Sequence, residues 1–237
     1  MATTDAPRRL EQNQLLLALP RADYKALEPD LCDVTLPHGR VLCEARERIT
    51  HVYFPQRCVI SLVAPVDGEQ GVEVAIVGNE GMVGLGAFLG VDTASMQAVS
   101  QIPDTASRLT VAAFRRALAR GTALHRIMLR YADALMSEIA QCSACNQRHR
   151  VVQRCARWFL MAHDRVGADQ FSLTQEFLGQ MLDVERPTVS AAARQLQAAG
   201  AIRYSRGRVT VTSRACLELA TCGCYRLLRQ DYARAFA

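Results

Sequence analysis

No apolar run in this 237-residue chain approaches the roughly 18 residues needed to cross a bilayer. Met1 to Arg9 hold no apolar stretch of the kind found in secretory signals, so the sequence points to a cytoplasmic protein without a membrane partner. The nine cysteines are odd in number and lack the spacing of a small disulfide framework; reduced thiols serving as small core residues are expected. A P-loop, a G-x-S-x-G nucleophile turn and an H-E-x-x-H metal helix are all missing, which argues against an enzyme. Internal repeats and low-complexity tracts are missing as well. One local gap stands out: no Lys or Arg occurs between Arg57 and Arg108, a window that holds Asp67, Glu69, Glu73, Glu80, Asp92 and Asp104.

What is present describes a globular chain able to bury a core, with 50% hydrophobic and 22% charged residues. The net charge of +5 is unevenly spread. Residues 1–146 carry 14 Lys+Arg against 16 acids, a balance of −2, whereas residues 147–237 carry 14 arginines against seven acids, a balance of +7. A basic back half attracts polyanions, and nucleic acid is the usual one.

Residues 10–30 read as short amphipathic helix broken at Pro20 and Pro29. From Leu31 to about Leu109 the runs Val52–Phe54, Cys58–Val63 and Val72–Val77 are β-branched and apolar. Turn signals at Pro37-His38-Gly39, Asp67-Gly68, Gly78–Gly81 and Pro103-Asp104 separate them. Such spacing predicts an antiparallel sandwich or barrel. Thr110 opens a helical stretch interrupted at Gly121, and from Thr122 to Asn146 no Pro or Gly intervenes. Leu124, Met128, Tyr131, Leu135, Ile139 and Cys142 recur there every three or four residues, along a helix of about 37 Å. Such a seam either lies on its own domain or pairs two subunits, and the length of this one favours pairing. A further helix runs to about Arg165. The predicted organisation is a β domain over 1–121, a dimerisation helix over 122–146 and a DNA-binding domain with a helical tail over 147–237.

Function is carried by residues 171–212. Thr174 can cap a helix whose apolar face is Phe177, Leu178, Met181 and Leu182. After a break at Asp183-Val184-Glu185, a second helix starts near Arg186, with Pro187 in its first turn, a buried stripe of Val189, Ala192, Ala193 and Leu196, and Gly200 beyond its end. Two short helices and a tight turn make a helix-turn-helix. Residues 201–212 read as a β-hairpin wing crowded by Arg203, Arg206 and Arg208. The free face of the second helix presents Pro187, Ser190, Ala191 and Arg194. Arg186, at its start, is the candidate base reader, because a guanidinium pairs bidentately with guanine O6 and N7. Ser190 and Arg194 are candidates for base or phosphate, Thr174, Gln175 and Thr188 for phosphate, Arg206 and Arg208 for phosphate along the wing, and Pro187 for apolar contact.

These features resemble the Crp/Fnr family of bacterial transcription regulators over nearly the whole chain, most specifically in the stretch LTQEFLGQMLDVERPTVS. The resemblance implies an α+β fold: an N-terminal antiparallel β-roll of the cyclic-nucleotide-binding-like (jelly-roll) kind, a long dimerisation helix and a C-terminal winged helix-turn-helix. It implies a homodimer on two-fold-symmetric double-stranded DNA, with RNA polymerase as a further partner. The chain departs from the family in two places. Where cyclic-AMP binders place a glutamate and an arginine in the recognition helix, Pro187 and Ala191 stand here, so the preferred DNA sequence differs. Where they hold the ligand phosphate with a Gly-Glu-Leu segment and an Arg-Ser or Arg-Thr pair, this chain has Val83–Phe88 and Thr93–Met96, lacking both glutamate and arginine. A buried phosphodiester without a cation is costly, so the usual cyclic-AMP chemistry is not expected and the effector is left open. Cys32, Cys43 and Cys58 are too far apart for the family's iron–sulphur cluster, and His38 and His51 read as ordinary histidines rather than haem ligands.

Two cysteine groups remain. Cys142, Cys145 and His149 share one helical face, a spacing that suits a metal or a redox pair. With no fourth ligand evident, small residues in a seam are the expectation, and no cofactor is assigned. Cys222-Gly223-Cys224 lies in the tail, which is expected to pack on the DNA-binding domain or across the dimer. The alternative functions are a cyclic-nucleotide-responsive regulator and a regulator that senses redox state or metal through these cysteines.

Overall fold

The computed structural model describes residues 13–118 and 122–236; Met1 to Arg9 and Gly121 lie outside them. Proline divides the first helical stretch as the sequence indicates: α1 (Gln14–Leu17) ends before Pro20, and α2 (Arg21–Leu27) runs into a 3-10 turn at Glu28–Asp30. Asn13 caps α1 by accepting from the Leu15 and Leu16 amides. Its own amide donates to the carbonyls of Pro55 and Gly81, which pins this end to the next layer.

That layer is an antiparallel roll of seven strands: β1 (Cys32–Leu36), β2 (Val41–Cys43), β3 (His51–Pro55), β4 (Val59–Val66), β5 (Glu69–Val77), β6 (Gln97–Ile102) and β7 (Asp104–Thr110). They form two sheets, in the orders β1-β7-β3 and β2-β6-β4-β5. Val52 lies opposite Leu109 and Leu62 opposite Ala98, so the alternating apolar residues face one core. Phe54, Ile60, Leu109 and Phe114 are fully buried in it, the last carried by α4 (Val111–Ala117). A single turn, α3 (Leu85–Phe88), crosses between β5 and β6.

The long helix, α5 (Ala123–Arg148), is capped at its start by the Thr122 hydroxyl. Its apolar seam does not serve as predicted. Leu124, Met128, Tyr131 and Leu135 are buried in the core of their own roll, with Ile139 half-buried against it, and Cys142 receives a hydrogen bond from Arg157. Periodicity locates an apolar face but not what covers it, and here the same chain covers it. The outward side of α5 exposes Leu129, Met136, Ala140 and Ala144.

The back half follows as α6 (Val151–Val166), β8 (Gln170–Ser172), α7 (Gln175–Leu182), α8 (Arg186–Ala198), β9 (Ile202–Ser205), β10 (Arg208–Val211), α9 (Arg214–Ala220) and α10 (Cys224–Ala235). Its core, around Phe159, Leu160, Leu178, Val189 and Val209, also takes in Val59, Ile76 and Ile102 from the roll. The tail divides: α9 packs on α6, while α10 runs back along α5.

One buried cation joins these parts. Arg165 of α6 donates to Glu80, beyond β5, and to Glu138 of α5, each at 2.9 Å, and Tyr232 of α10 donates to the same Glu138 oxygen at 2.6 Å. Glu138 also accepts from the Ile76 amide, and Glu80 from the Gly78 amide. Gly78 is required by the close approach: a β-carbon there would stand 2.5 Å from that of Arg165. Arg165, Glu80 and Glu138 are all buried. Removing one member of such a group strands the others without solvent. Arg165→Ala is therefore expected to cost about 3–5 kcal/mol, read as a large fall in the urea midpoint, whereas alanine at the exposed Arg194 leaves the midpoint within about 0.5 kcal/mol of wild type.

Candidate nucleic-acid interface

The helix-turn-helix is built as the sequence indicates. The Thr174 hydroxyl accepts from the Phe177 amide and starts α7. Asp183 ends it in the left-handed region, at φ 49°, a conformation aspartate tolerates. Gly179 admits the turn to α7: a β-carbon at that position would stand 2.9 Å from the Val184 carbonyl. Pro187 occupies the first turn of α8, and Val189, Ala192, Ala193 and Leu196 face inward. The wing gains a third strand that no sequence signal announces. β8 pairs with β10, which pairs with β9, and three residues are too few for alternation to announce a strand.

The candidate contact residues lie on α8, the start of α7 and the wing. Arg186, Pro187, Thr188 and Arg194 are exposed on α8, and Arg206 and Arg208 on the wing. Ser190, between Arg186 and Arg194 on the same face, sets its hydroxyl 2.7 Å from the side-chain oxygen of Gln175 and 2.9 Å from the Arg186 carbonyl, its single proton serving the shorter contact. That bond ties α8 to the start of α7, beside Thr174. At the wing tip, the Gly207 carbonyl accepts from the Leu173 amide, which brings the wing against the same helix start. Arg206 is left-handed there, at φ 50°. Among the described residues, Arg186, Arg194, Arg203, Arg206 and Arg208 take part in no ion pair. The arrangement thus presents unpaired guanidinium groups beside hydroxyl and amide groups, the donors that phosphate oxygens and base edges accept from.

Residues 153–220 match the model of the Crp-like helix-turn-helix domain. The structure of FixK2 from Bradyrhizobium japonicum is similar with a TM-score of 0.68 at 14% identity, over 81% of this chain and 98% of that one. A transcriptional regulator of the CRP family from Thermus thermophilus is similar with a TM-score of 0.64 at 19% identity, over 79% and 95%. CLP of Xanthomonas campestris, described as a c-di-GMP-responsive global regulator, gives 0.61 at 13% identity, over 82% and 100%. This chain carries a Crp-like helix-turn-helix domain on a fold shared with those Crp/Fnr structures. No curated protein matches it in sequence.

In the roll, the two stretches compared above with the family's phosphate-binding segments do meet. Val83–Gly86 and Thr93–Met96 line a cavity of about 250 Å³ closed on one side by Leu135, Met136 and Ile139 of α5. Its wall is mostly apolar, with Ile49, Leu62 and Met82 alongside His51, Thr93 and Ser95, and no Lys or Arg is among its lining residues. The cavity therefore offers shape and hydroxyl groups and no cation for a phosphodiester. His38, the other histidine considered, contacts the Gln101 carbonyl and packs edge-on to Phe177 of α7.

Sequence reasoning missed how the DNA-binding half is seated. Trp158 of α6 donates to buried Glu73 of β5 at 2.9 Å, and Ser61 of β4 bonds to the same carboxyl group. Burial pushes the Glu73 carboxyl from 4.5 up to about 8, against the opposing hydrogen bonds from Ser61 and Trp158. The folded protein therefore holds a proton that the unfolded chain has released across that interval. Stability from this group is complete below pH 4.5 and is lost as pH rises through about 8. Glu73→Gln is expected to remove a slope of up to about 1.4 kcal/mol per pH unit from the stability of the wild type, as measured by denaturation at a series of pH values; an unchanged slope would place the titration elsewhere.

The cysteines also regroup. Cys142 turns to Arg157, whereas Cys145 and His149 of the α5 end meet Cys222 and Cys224 from the tail. Separations of more than seventy residues hid that meeting from local spacing.

Proposed function

We propose that the chain is a sequence-specific regulator of transcription that binds double-stranded DNA as a homodimer, with α8 in the major groove and the wing along the backbone. The observation that carries this reading is the set of exposed arginines without ion-pair partners on α8 and the wing, with α8 tied to the start of α7 by the Ser190–Gln175 bond and the wing tip tied there by the Leu173–Gly207 bond. Arg186 is the base reader. Arg194 extends the same face by two turns. Because Ser190 occupies the Gln175 oxygen, the amide NH₂ of Gln175 is left to donate to phosphate, together with Thr174 and Thr188. Pro187 supplies apolar contact at a position where the family's cyclic-AMP binders carry an acid. Arg206 and Arg208 grip phosphates.

The pairing surface is the outward stripe of α5. Leu129 is 53% and Met136 64% exposed, and Ala140 and Ala144 continue the stripe at helical spacing. Small residues there let a partner helix approach closely. RNA polymerase and a cytoplasmic location belong to the same reading, and the cavity beside α5 is the place for an effector that is small and largely apolar.

Selection of bound sequences from a random DNA pool tests the reading directly. Two related half-sites at a spacing of about 10 bp or a multiple are expected. Arg186→Ala should cost about 1–3 kcal/mol at one base position and relax preference there, while Arg206→Ala should weaken all sequences alike and reduce the salt slope by about one. Equal binding of selected and random duplexes at moderate salt would overturn it.

Met136→Glu is expected to convert the dimer to monomer in light scattering with little loss of folding. Leu135→Ala, on the inward face, should instead cost about 2–5 kcal/mol of stability and leave the pairing intact. Reversal of these two phenotypes would return the pairing seam to the inward face.

A further inference from the structure

Four ligand-bearing residues converge where the front half joins the DNA-binding half. Cys145 lies in the last turn of α5, and His149, four residues on, is the C-cap of that helix. Cys222 and Cys224 flank Gly223 at the corner between α9 and α10. The three sulfurs and an imidazole nitrogen all lie within 4.8 Å of one another. Cys145 Sγ is 3.5 Å from Cys222 Sγ, and Cys224 Sγ is 3.5 Å from His149 Nδ1. A tetrahedral zinc ion with Zn–S of about 2.3 Å and Zn–N of about 2.0–2.1 Å sets its ligand atoms about 3.5–3.8 Å apart. The two separations above are therefore already those of a coordination shell, and the remaining ones need to close by no more than about 1 Å.

We propose that Cys145, His149, Cys222 and Cys224 form a Cys₃His zinc site. Three sulfurs and one imidazole, with no oxygen, are a soft donor set that suits zinc and not magnesium or calcium. Four protein ligands leave no open position, so the site holds structure and performs no hydrolysis. Three thiolates and Zn²⁺ sum to a charge of −1, and buried arginines stand close by to offset it. Arg154 bonds to Asn146, next to Cys145, and Arg157 bonds to Cys142, one turn before it. Gln141 points its amide at Cys224 Sγ from 3.0 Å, the outer-shell hydrogen bond that a metal thiolate accepts. A disulfide between Cys145 and Cys222 would use two of the four groups and give no role to Cys224 or His149. In place, the ion ties the end of α5 to the start of α10, directly beside the α5–α6 junction from which the helix-turn-helix is hung.

The test uses the full-length protein purified under reducing conditions. About one zinc per chain is expected by elemental analysis. After removal by a chelator, Co²⁺ should bind with the visible absorption of a tetrahedral thiolate site. Cys222→Ser and Cys224→Ser should lose the stoichiometric metal, whereas His149→Cys, which keeps four ligands, and Cys142→Ser, one turn away, should retain it. Should the serine variants fail to fold, the wild type still decides the matter, because chelation must lower its melting temperature and zinc must restore it. Absence of zinc together with no uptake of Co²⁺, retention of metal by Cys224→Ser, or a Cys145–Cys222 disulfide found by mass spectrometry after thiol blocking would each overturn the proposal.

Discussion

Arg165 carries a positive charge into a site with almost no water, and it can stay there because Glu80 and Glu138 arrive from two other parts of the chain. Each of the three is costly to bury alone and tolerable with the others. The roll, the long helix and the DNA-binding half must therefore come together in one arrangement for any of the charges to be satisfied. Tyr232 draws the tail into the same group. Hydrophobic contacts alone would hold these layers together with less demand on their relative placement, since apolar surface is non-directional.

The geometry of the DNA-binding surface depends on that placement. α6 is seated by Arg165 at one end and by the Trp158–Glu73 bond further back. α7 and α8 pack on α6, so their outward face is set by charges far from any DNA contact. Within the surface, small devices fix the details: Gly179 admits the turn, Ser190 and Gln175 link the two helices, and Leu173 holds the wing tip. Arg154, whose guanidinium bonds to Asn146 and to the Leu182 carbonyl, links α5, α6 and α7 at the point where the halves join.

Much of this is legible locally. The helix-turn-helix declares itself because caps, proline and apolar stripe all lie within thirty residues and agree with one another. The strands of the roll follow from β-branched runs between turn signals, and the long helix from an unbroken period of three and four. The sequence is silent where meaning depends on distant partners. Leu124 to Leu135 form an apolar seam whether the cover is a second subunit or the chain's own roll. Arg165 and Glu138 look like ordinary surface charges of a helix, since nothing nearby reveals that both are buried. Cys145 and Cys222 are separated by most of the DNA-binding half, so a group of four ligands appears in sequence as two groups that each lack the other's ligands. β8 is too short to carry a pattern at all.

Met136 belongs to two surfaces at once. Part of it lines the cavity of the roll, and much of the rest lies on the outward stripe of α5. A molecule that fills the cavity would press on a side chain whose other flank faces the outward groove, with no intervening layer to absorb the displacement. Sensing and assembly, if both act here, share a wall one residue thick, and the identity of that residue sets how strongly the occupant of one side is felt on the other.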